Sequence, residues 1–131
     1  MLFRSILGAG FAGLELATRL SESVTDQARI TLVDRSETFH FGYSKLDVLF
    51  GRKTTEDVLL YYRDISKEGL EFRQEQVTSI EPESRRVTTD RHSYEADILV
   101  VALGAEYDYA ATRGFEEEGF EYYSLDRKSV V

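Results

Sequence analysis

The sequence predicts an α/β fold in which a parallel β-α-β sheet carries an inserted antiparallel β-meander. Three observations predict it. Residues 2–34 spell an apolar run, a glycine turn, a helical period and a second apolar run. Residues 70–96 hold short β-prone stretches separated by turn residues, and the most apolar run of the chain, Ile98 to Leu103, follows and stops at Gly104.

In chain order, Leu2, Phe3, Ile6 and Leu7 form a run of the kind found in strands buried on both faces. Gly8 to Gly13 is a tight loop. From Phe11 to about Ser23, Leu14, Ala17 and Leu20 recur at helical spacing with Phe11 and Leu16 beside them, while Glu15, Arg19 and Glu22 point outward. Ile30 to Val33, ending in Asp34, is the next strand. Arg35 to Arg52 reads as an aromatic-rich loop with a short helix near Lys45 to Phe50. Thr54-Thr55-Glu56-Asp57 places hydroxyls and acids as a helix start does, and the helix is expected to continue over Val58 to Ile65. Leu70 to Gln74, Val77 to Ile80, Arg86 to Thr89 and Ser93 to Ala96 are expected to form the meander, with turns at Glu81 to Ser84 and Thr89 to His92. Ile98 to Leu103 is then a second buried parallel strand. Beyond Gly104 the pattern dissolves into Tyr107, Asp108, Tyr109 and the acidic run Glu116 to Glu118, expected to be a solvated face.

Composition narrows the function. A chain of 131 residues suits one domain, which buries roughly two-thirds of its unfolded surface. At 42% hydrophobic and 31% charged with one proline it is neither disordered nor fibrous. It has no cysteine, hence no disulfide, thiolate metal site or redox Cys pair in these residues. Sixteen basic against 24 acidic residues leave a net charge of −8, which disfavours nucleic acid and anionic membranes as partners. His40 and His92, the two histidines, lie 52 positions apart and give no metal spacing. His92 reads as a solvated turn residue, and His40 as a packing residue of the aromatic loop. The apolar start meets Gly8 too soon for an export signal, so a soluble cytoplasmic location is expected.

Gly8-Ala9-Gly10-Phe11-Ala12-Gly13 is G-x-G-x-x-G between a strand and a helix, the setting in which that spacing binds dinucleotides. Gly8 permits the turn, Gly10 lets backbone approach a pyrophosphate, Gly13 lets helix and strand pack closely, and the helix N-terminus offers N–H groups to the phosphates. Asp34, 21 residues after Gly13 at a strand end, is placed to accept ribose hydroxyls. Loop and acid alone fit an FAD enzyme, an NAD-dependent dehydrogenase or a non-catalytic adenine-nucleotide-binding domain. No Ser-His-Asp set, carboxylate pair or P-loop lysine is spelled out, so the catalytic residues stay unassigned and hard chemistry is left to a cofactor.

Ile6 to Ala17 resembles the FAD-binding opening of the pyridine nucleotide-disulfide oxidoreductase superfamily. Tyr94-Glu95-Ala96-Asp97-Ile98-Leu99-Val100-Val101-Ala102-Leu103-Gly104-Ala105 is similar to that family's second FAD motif, and Phe41 to Gly51 looks most like its sulfide:quinone reductase and type II NADH dehydrogenase branch. The resemblance implies a Rossmann-like FAD-binding sheet, incomplete in this chain, and an N-terminal portion of a flavoprotein passing electrons from NAD(P)H or a sulfide-like donor to an acceptor such as a quinone. It implies that Gly8, Gly10, Phe11, Ala12 and Gly13 hold the FAD diphosphate, that Asp34 and Arg35 meet the adenosine, that the Val77 backbone meets adenine, and that Ala102, Leu103 and Gly104 close over the cofactor. Lys45 is expected towards the flavin, where its charge would stabilise the reduced ring; a surface lysine covering an apolar wall would look the same. The family's cysteine pair has no counterpart here. Tyr107, Tyr109, Tyr122 and Tyr123 suggest an interface or a cap over a pocket.

Residues 1–125 are accordingly read as a partial FAD-binding domain, inactive alone, whose sheet lacks a strand and whose open edge invites self-association. The parent is expected in the cytoplasm or peripheral to the inner face of the membrane. Asp126 to Val131 is read as a non-native tail, because the codons GAT CGG AAG AGC GTC GTG resemble a sequencing-library adapter.

Overall fold

A computed structural model describes residues 2–24, 27–65 and 67–121. The tail reading of Asp126 to Val131 and the suggested role of Tyr122 and Tyr123 fall outside these residues. Two compact units emerge, residues 1–39 with 61–104 and residues 40–60 with 105–131.

The first unit is built on strand β1 (Leu2–Leu7), helix α1 (Phe11–Ser23) and strand β2 (Ala28–Asp34), as expected. Strand β3 (Thr38–His40), which sequence reasoning missed, pairs with β4 (Leu59–Tyr61) in a two-stranded sheet. Then come β5 (Leu70–Gln74), β6 (Val77–Glu81), β7 (Arg86–Thr89), β8 (Ser93–Glu95) and β9 (Ile98–Val101). The main sheet has the order β5-β2-β1-β9, all parallel, and β6-β7-β8 form the antiparallel meander.

Each face of the parallel sheet has its own core. Ile6, Ile30 and Leu32 are buried on one face with Ala9, Ala17 and Tyr62, with Leu14 and Leu20 of α1 packed against them. Leu7 and Val33 point the other way onto Val87 of the meander, joined by Val77, Ile80, Tyr94 and Leu99. Alternation along each strand thus places one side chain against α1 and the next against the meander. Along α1 the buried stripe is Gly13, Ala17 and Ser21, four residues apart, small enough for the helix to lie close on the sheet.

Four expectations need correction. Leu70 to Gln74 is no meander strand but the parallel edge neighbour of β2, with Leu32 opposite Phe72. Its period-two pattern arises because Leu70 and Phe72 pack into the α1-side core while Glu71 faces solvent, and an edge strand covered on one face reads like an antiparallel one. Ile98 to Val101 is parallel as expected but not buried. It lies at the other edge of the described sheet, leaving Ile98 46% and Val101 58% exposed. In β1, burial begins only at Ser5, and Leu2 and Phe3 are exposed. No helix runs from Thr54 to Ile65. A 3₁₀ turn at Glu56–Val58 gives way to β4 and a second turn at Tyr62–Asp64. The Asp57 carboxylate does accept the Thr54 N–H and hydroxyl, both at 2.8 Å, so the start signal is real. Beyond it, however, Leu59-Leu60-Tyr61 is taken by pairing to β3, and Tyr62 is drawn into the core.

In the second unit, helix α2 (Ser44–Leu49) lies where a short helix was expected, and helix α3 (Phe115–Glu118) carries the acidic run, whose three glutamates are exposed. Tyr107 and Tyr109 pack with Phe115, at ring-centroid distances of 5.9 and 5.5 Å, in a local aromatic cluster. Asp47 accepts the Arg52 and Lys53 backbone N–H groups through its carbonyl and faces both side-chain cations. Among the described residues no helix is long and apolar enough to cross a membrane.

Candidate functional site

The carboxyl ends of β2, β1 and β9 meet at one edge of the sheet. The Gly8 N–H donates to the Val33 carbonyl and the Ala102 N–H to the Leu7 carbonyl, each at 2.7 Å. The glycine loop and the Ala102–Gly104 segment, far apart in sequence, are therefore neighbours. The connection after β1 runs through α1 to β2 on one side, whereas β9 lies on the other. In an open parallel sheet, the crevice outside the strand ends at such a reversal is where ligands bind.

The three glycines of the loop do different jobs. Gly8 has φ +95°, and a Cβ there would overlap the Ala102 carbonyl and the Leu103 backbone. A Cβ on Gly13 would collide with the Gly8 carbonyl and crowd Ile6, so that residue sets how closely α1 lies on β1. Gly10 is the opposite case: a Cβ there would meet nothing within 4 Å. The fold does not need glycine at this position, and the space beside it is open. No side chain caps α1 at Gly10, and its first turn holds no acid. The positive end of the helix is thus faced by no carboxylate of its own first turn. Phe11 and Ala12 are exposed beside this opening, with Phe11 edge-on to Phe39 at 5.2 Å.

Asp34 binds the loop itself. One carboxylate oxygen accepts the Ala9 N–H at 2.7 Å and the other accepts the Ser36 N–H at 2.8 Å. A carboxylate has about four acceptor positions, so acceptor capacity remains for hydroxyls. Arg35 is exposed next to it, and its carbonyl accepts from Gln74. Val77 comes within the same neighbourhood because the Glu75 N–H donates to the Asp34 carbonyl at 2.9 Å and the chain then enters β6. Gly8 to Gly13, Asp34, Arg35, Val77 and Ala102 to Gly104 thus all belong to the first unit. Lys45 belongs to the second, half-buried on α2, where burial lowers its pKa and Glu121 opposes that shift.

Residues 5–129 match the family described as pyridine nucleotide-disulphide oxidoreductase. The chain belongs to this family. It is 34% identical over 119 residues to the type II NADH:quinone oxidoreductase of Staphylococcus aureus, covering 88% of this chain and 29% of that relative. The sulfide:quinone oxidoreductase of Aquifex aeolicus superposes with a TM-score of 0.85 at 24% identity, over 98% of this chain and 30% of that one. NDH2 of Plasmodium falciparum, solved in complex with NADH, gives a TM-score of 0.77 at 16% identity over 95% and 27%. The chain therefore spans under a third of the length of these relatives.

Within this family fold, two features escaped sequence reasoning. Tyr62 is buried and donates to the Ala9 carbonyl at 2.5 Å, supporting the loop from beneath; burial pushes its phenol pKa up. No pattern marked it, since Tyr61 and Tyr62 look alike in sequence. The second is Glu75, 4% exposed, whose carboxylate accepts the Thr89 hydroxyl at 2.6 Å and the Tyr94 hydroxyl at 2.8 Å and pairs with the His92 ring at 2.7 Å. Burial raises its pKa, but these hydrogen bonds outweigh that and hold it below the usual glutamate value. Tyr94 is pushed up to about 12, by burial first and by the Glu75 carboxylate second. His92, expected to be a solvated turn residue, is half-exposed but tied to this carboxylate. His40 ends β3 and is half-buried.

Proposed function

We propose that residues 1–125 form the FAD-binding part of a flavin-dependent oxidoreductase that takes electrons from NAD(P)H or a sulfide-like donor and passes them to an acceptor such as a quinone. The observation that carries this reading is the opening at Gly10. It stands at the uncapped N-terminus of α1, beside Ala102–Gly104, in the crevice between β1 and β9. Gly10, Phe11, Ala12 and Gly13 would receive the diphosphate, Asp34 and Arg35 the adenosine ribose and adenine edge, and the Val77 backbone the adenine. Ala102, Leu103 and Gly104 would line the other wall.

When bound, FAD supplies the two-electron redox chemistry. The chain's share is to bind and orient it. Asp34 fixes the Ala9 amide and so the shape of the loop, Tyr62 holds the Ala9 carbonyl, and Gly8 brings the two walls together. The similarity to a type II NADH:quinone oxidoreductase supports a nicotinamide donor and a quinone acceptor. Association through the exposed edge at Ile98 and Val101 belongs to the same reading.

Absorbance and fluorescence titration with FAD tests this assignment. The wild-type chain is expected to bind FAD, and Gly10→Val to lose at least about 100-fold in affinity while its stability changes by about 1 kcal/mol or less, since the new side chain enters open space. Undiminished FAD affinity in the folded variant would remove the loop from the site. Preference for NAD over FAD would favour a dehydrogenase, and equal binding of any adenine nucleotide a non-catalytic domain.

A further inference from the structure

The link between β5 and β6, residues 75–76, is held more firmly than a connection needs. The Glu75 N–H donates to the Asp34 carbonyl, the Gln76 N–H donates to the Asp90 carboxylate at 2.8 Å, and the Asp90 N–H returns to the Gln76 carbonyl at 2.9 Å. The Glu75 side chain turns into the meander and gathers Thr89, His92 and Tyr94. The Thr89 hydroxyl in turn accepts the Arg91 and His92 N–H groups, which fixes the β7–β8 turn. Burying a carboxylate is costly unless its acceptor positions are filled. Here they are filled by side chains from β7, β8 and the turn between them, so the meander grips the one backbone segment that joins Asp34 to Val77.

Resting on the FAD reading above, we infer that Glu75, with Thr89 and Tyr94, is a positioning cluster that sets the Val77 backbone against Asp34 and thereby builds the adenosine half of the site. The diphosphate half does not depend on it. That half is shaped by Gly8, Gly10, Gly13 and Tyr62, none of which touches Glu75 in any hydrogen bond described above. The cluster therefore governs recognition of the nucleoside and leaves recognition of the phosphates alone.

The test compares two probes on the 131-residue chain, ADP and inorganic pyrophosphate, by isothermal titration calorimetry. Thr89→Val removes the hydroxyl while keeping a β-branched side chain, Thr89→Ser restores it, Tyr94→Phe removes a second donor, and Glu75→Gln keeps the shape without the charge. ADP affinity is expected to fall about tenfold in Thr89→Val, Tyr94→Phe and Glu75→Gln, and to stay within about twofold of wild type in Thr89→Ser. Pyrophosphate affinity is expected to stay within about twofold throughout. Equal losses for both probes would reduce the cluster to general support of the fold and overturn the inference. Unchanged ADP affinity in the folded Tyr94→Phe and Thr89→Val chains would overturn it as well. If the wild-type chain binds neither ADP nor FAD, the FAD reading fails first and the inference with it.

Discussion

The glycine-loop region and the segment from His40 to Leu60 are stabilised in contrasting ways. Around the loop, contacts join distant residues and each has loop backbone on one side: the Ala9 N–H to Asp34 across 25 positions, Tyr62 to the Ala9 carbonyl across 53, and Gly8 packed directly on the Ala102 backbone. In residues 40–60, apart from the β3–β4 pairing, the described contacts join near neighbours, through backbone in the turns of α2 and through side chains in Thr54 with Asp57 and Asp47 with Arg52 and Lys53. The difference teaches where precision resides. A backbone packed on backbone has no rotamer with which to adapt, whereas a surface ion pair can be remade.

The largest expected break in this comparison comes from matched glycine substitutions. Gly13→Ala forces a Cβ into the Gly8 carbonyl and is expected to cost about 3 kcal/mol or to abolish folding. Gly51→Ala, at φ +68° in open space, is expected to cost only about 1 kcal/mol, the left-handed backbone penalty. Urea midpoints of the two variants measure the gap, and equal losses would dissolve the contrast.

Asp34→Ala is expected to cost about 1 to 3 kcal/mol in stability and a similar amount in FAD affinity, because the Ala9 N–H loses a partly buried charged acceptor. Loss of affinity without loss of stability would assign the carboxylate to ligand alone.

A smaller, pH-dependent effect is expected from Glu75. Its folded-state pKa lies below the unfolded one, so its stabilisation is complete above about pH 4.3 and disappears as pH falls through the folded value. Urea midpoints measured between about pH 6 and about pH 3 should fall more steeply in the wild type than in Glu75→Gln. Parallel curves would mean that protonation leaves the cluster intact.

Asp47→Ala should matter least. Its cationic partners are largely exposed, and screened surface pairs contribute at most about 0.5 kcal/mol. A larger loss would give the second region a precision of its own.

The same contrast explains what could be read in the sequence. The Gly8–Gly13 spacing, the helix bounds Phe11–Ser23 and the parallel run after Asp97 were legible because local pattern and fold agree there. Leu70 to Gln74 was misassigned because alternation reports which faces are covered and does not report the direction of the neighbouring strand. Residues 58–65 were misread for a related reason: a true start signal at Thr54 to Asp57 was followed by residues whose partners, β3 and the core around Ala9, lie elsewhere in the chain. Of the candidate site, the glycine loop and the strand-end acid could be found by motif, but Tyr62 and Glu75 could not. Their roles depend on which carbonyl or hydroxyl the fold brings to them, and no spacing encodes that.

One more consequence follows from the way β1 is flanked. On one side it pairs with β2, a short distance along the chain; on the other, Phe3 meets Asp97 across 94 residues. During vectorial synthesis the helix and its first two strands leave the ribosome well before the segment that walls the crevice. The glycine loop is thus made early and the crevice beside it late, with the intervening closure entropy falling on the docking of β9. Ligand capture in a stopped-flow refolding experiment would report that docking, long after the helix signal has recovered.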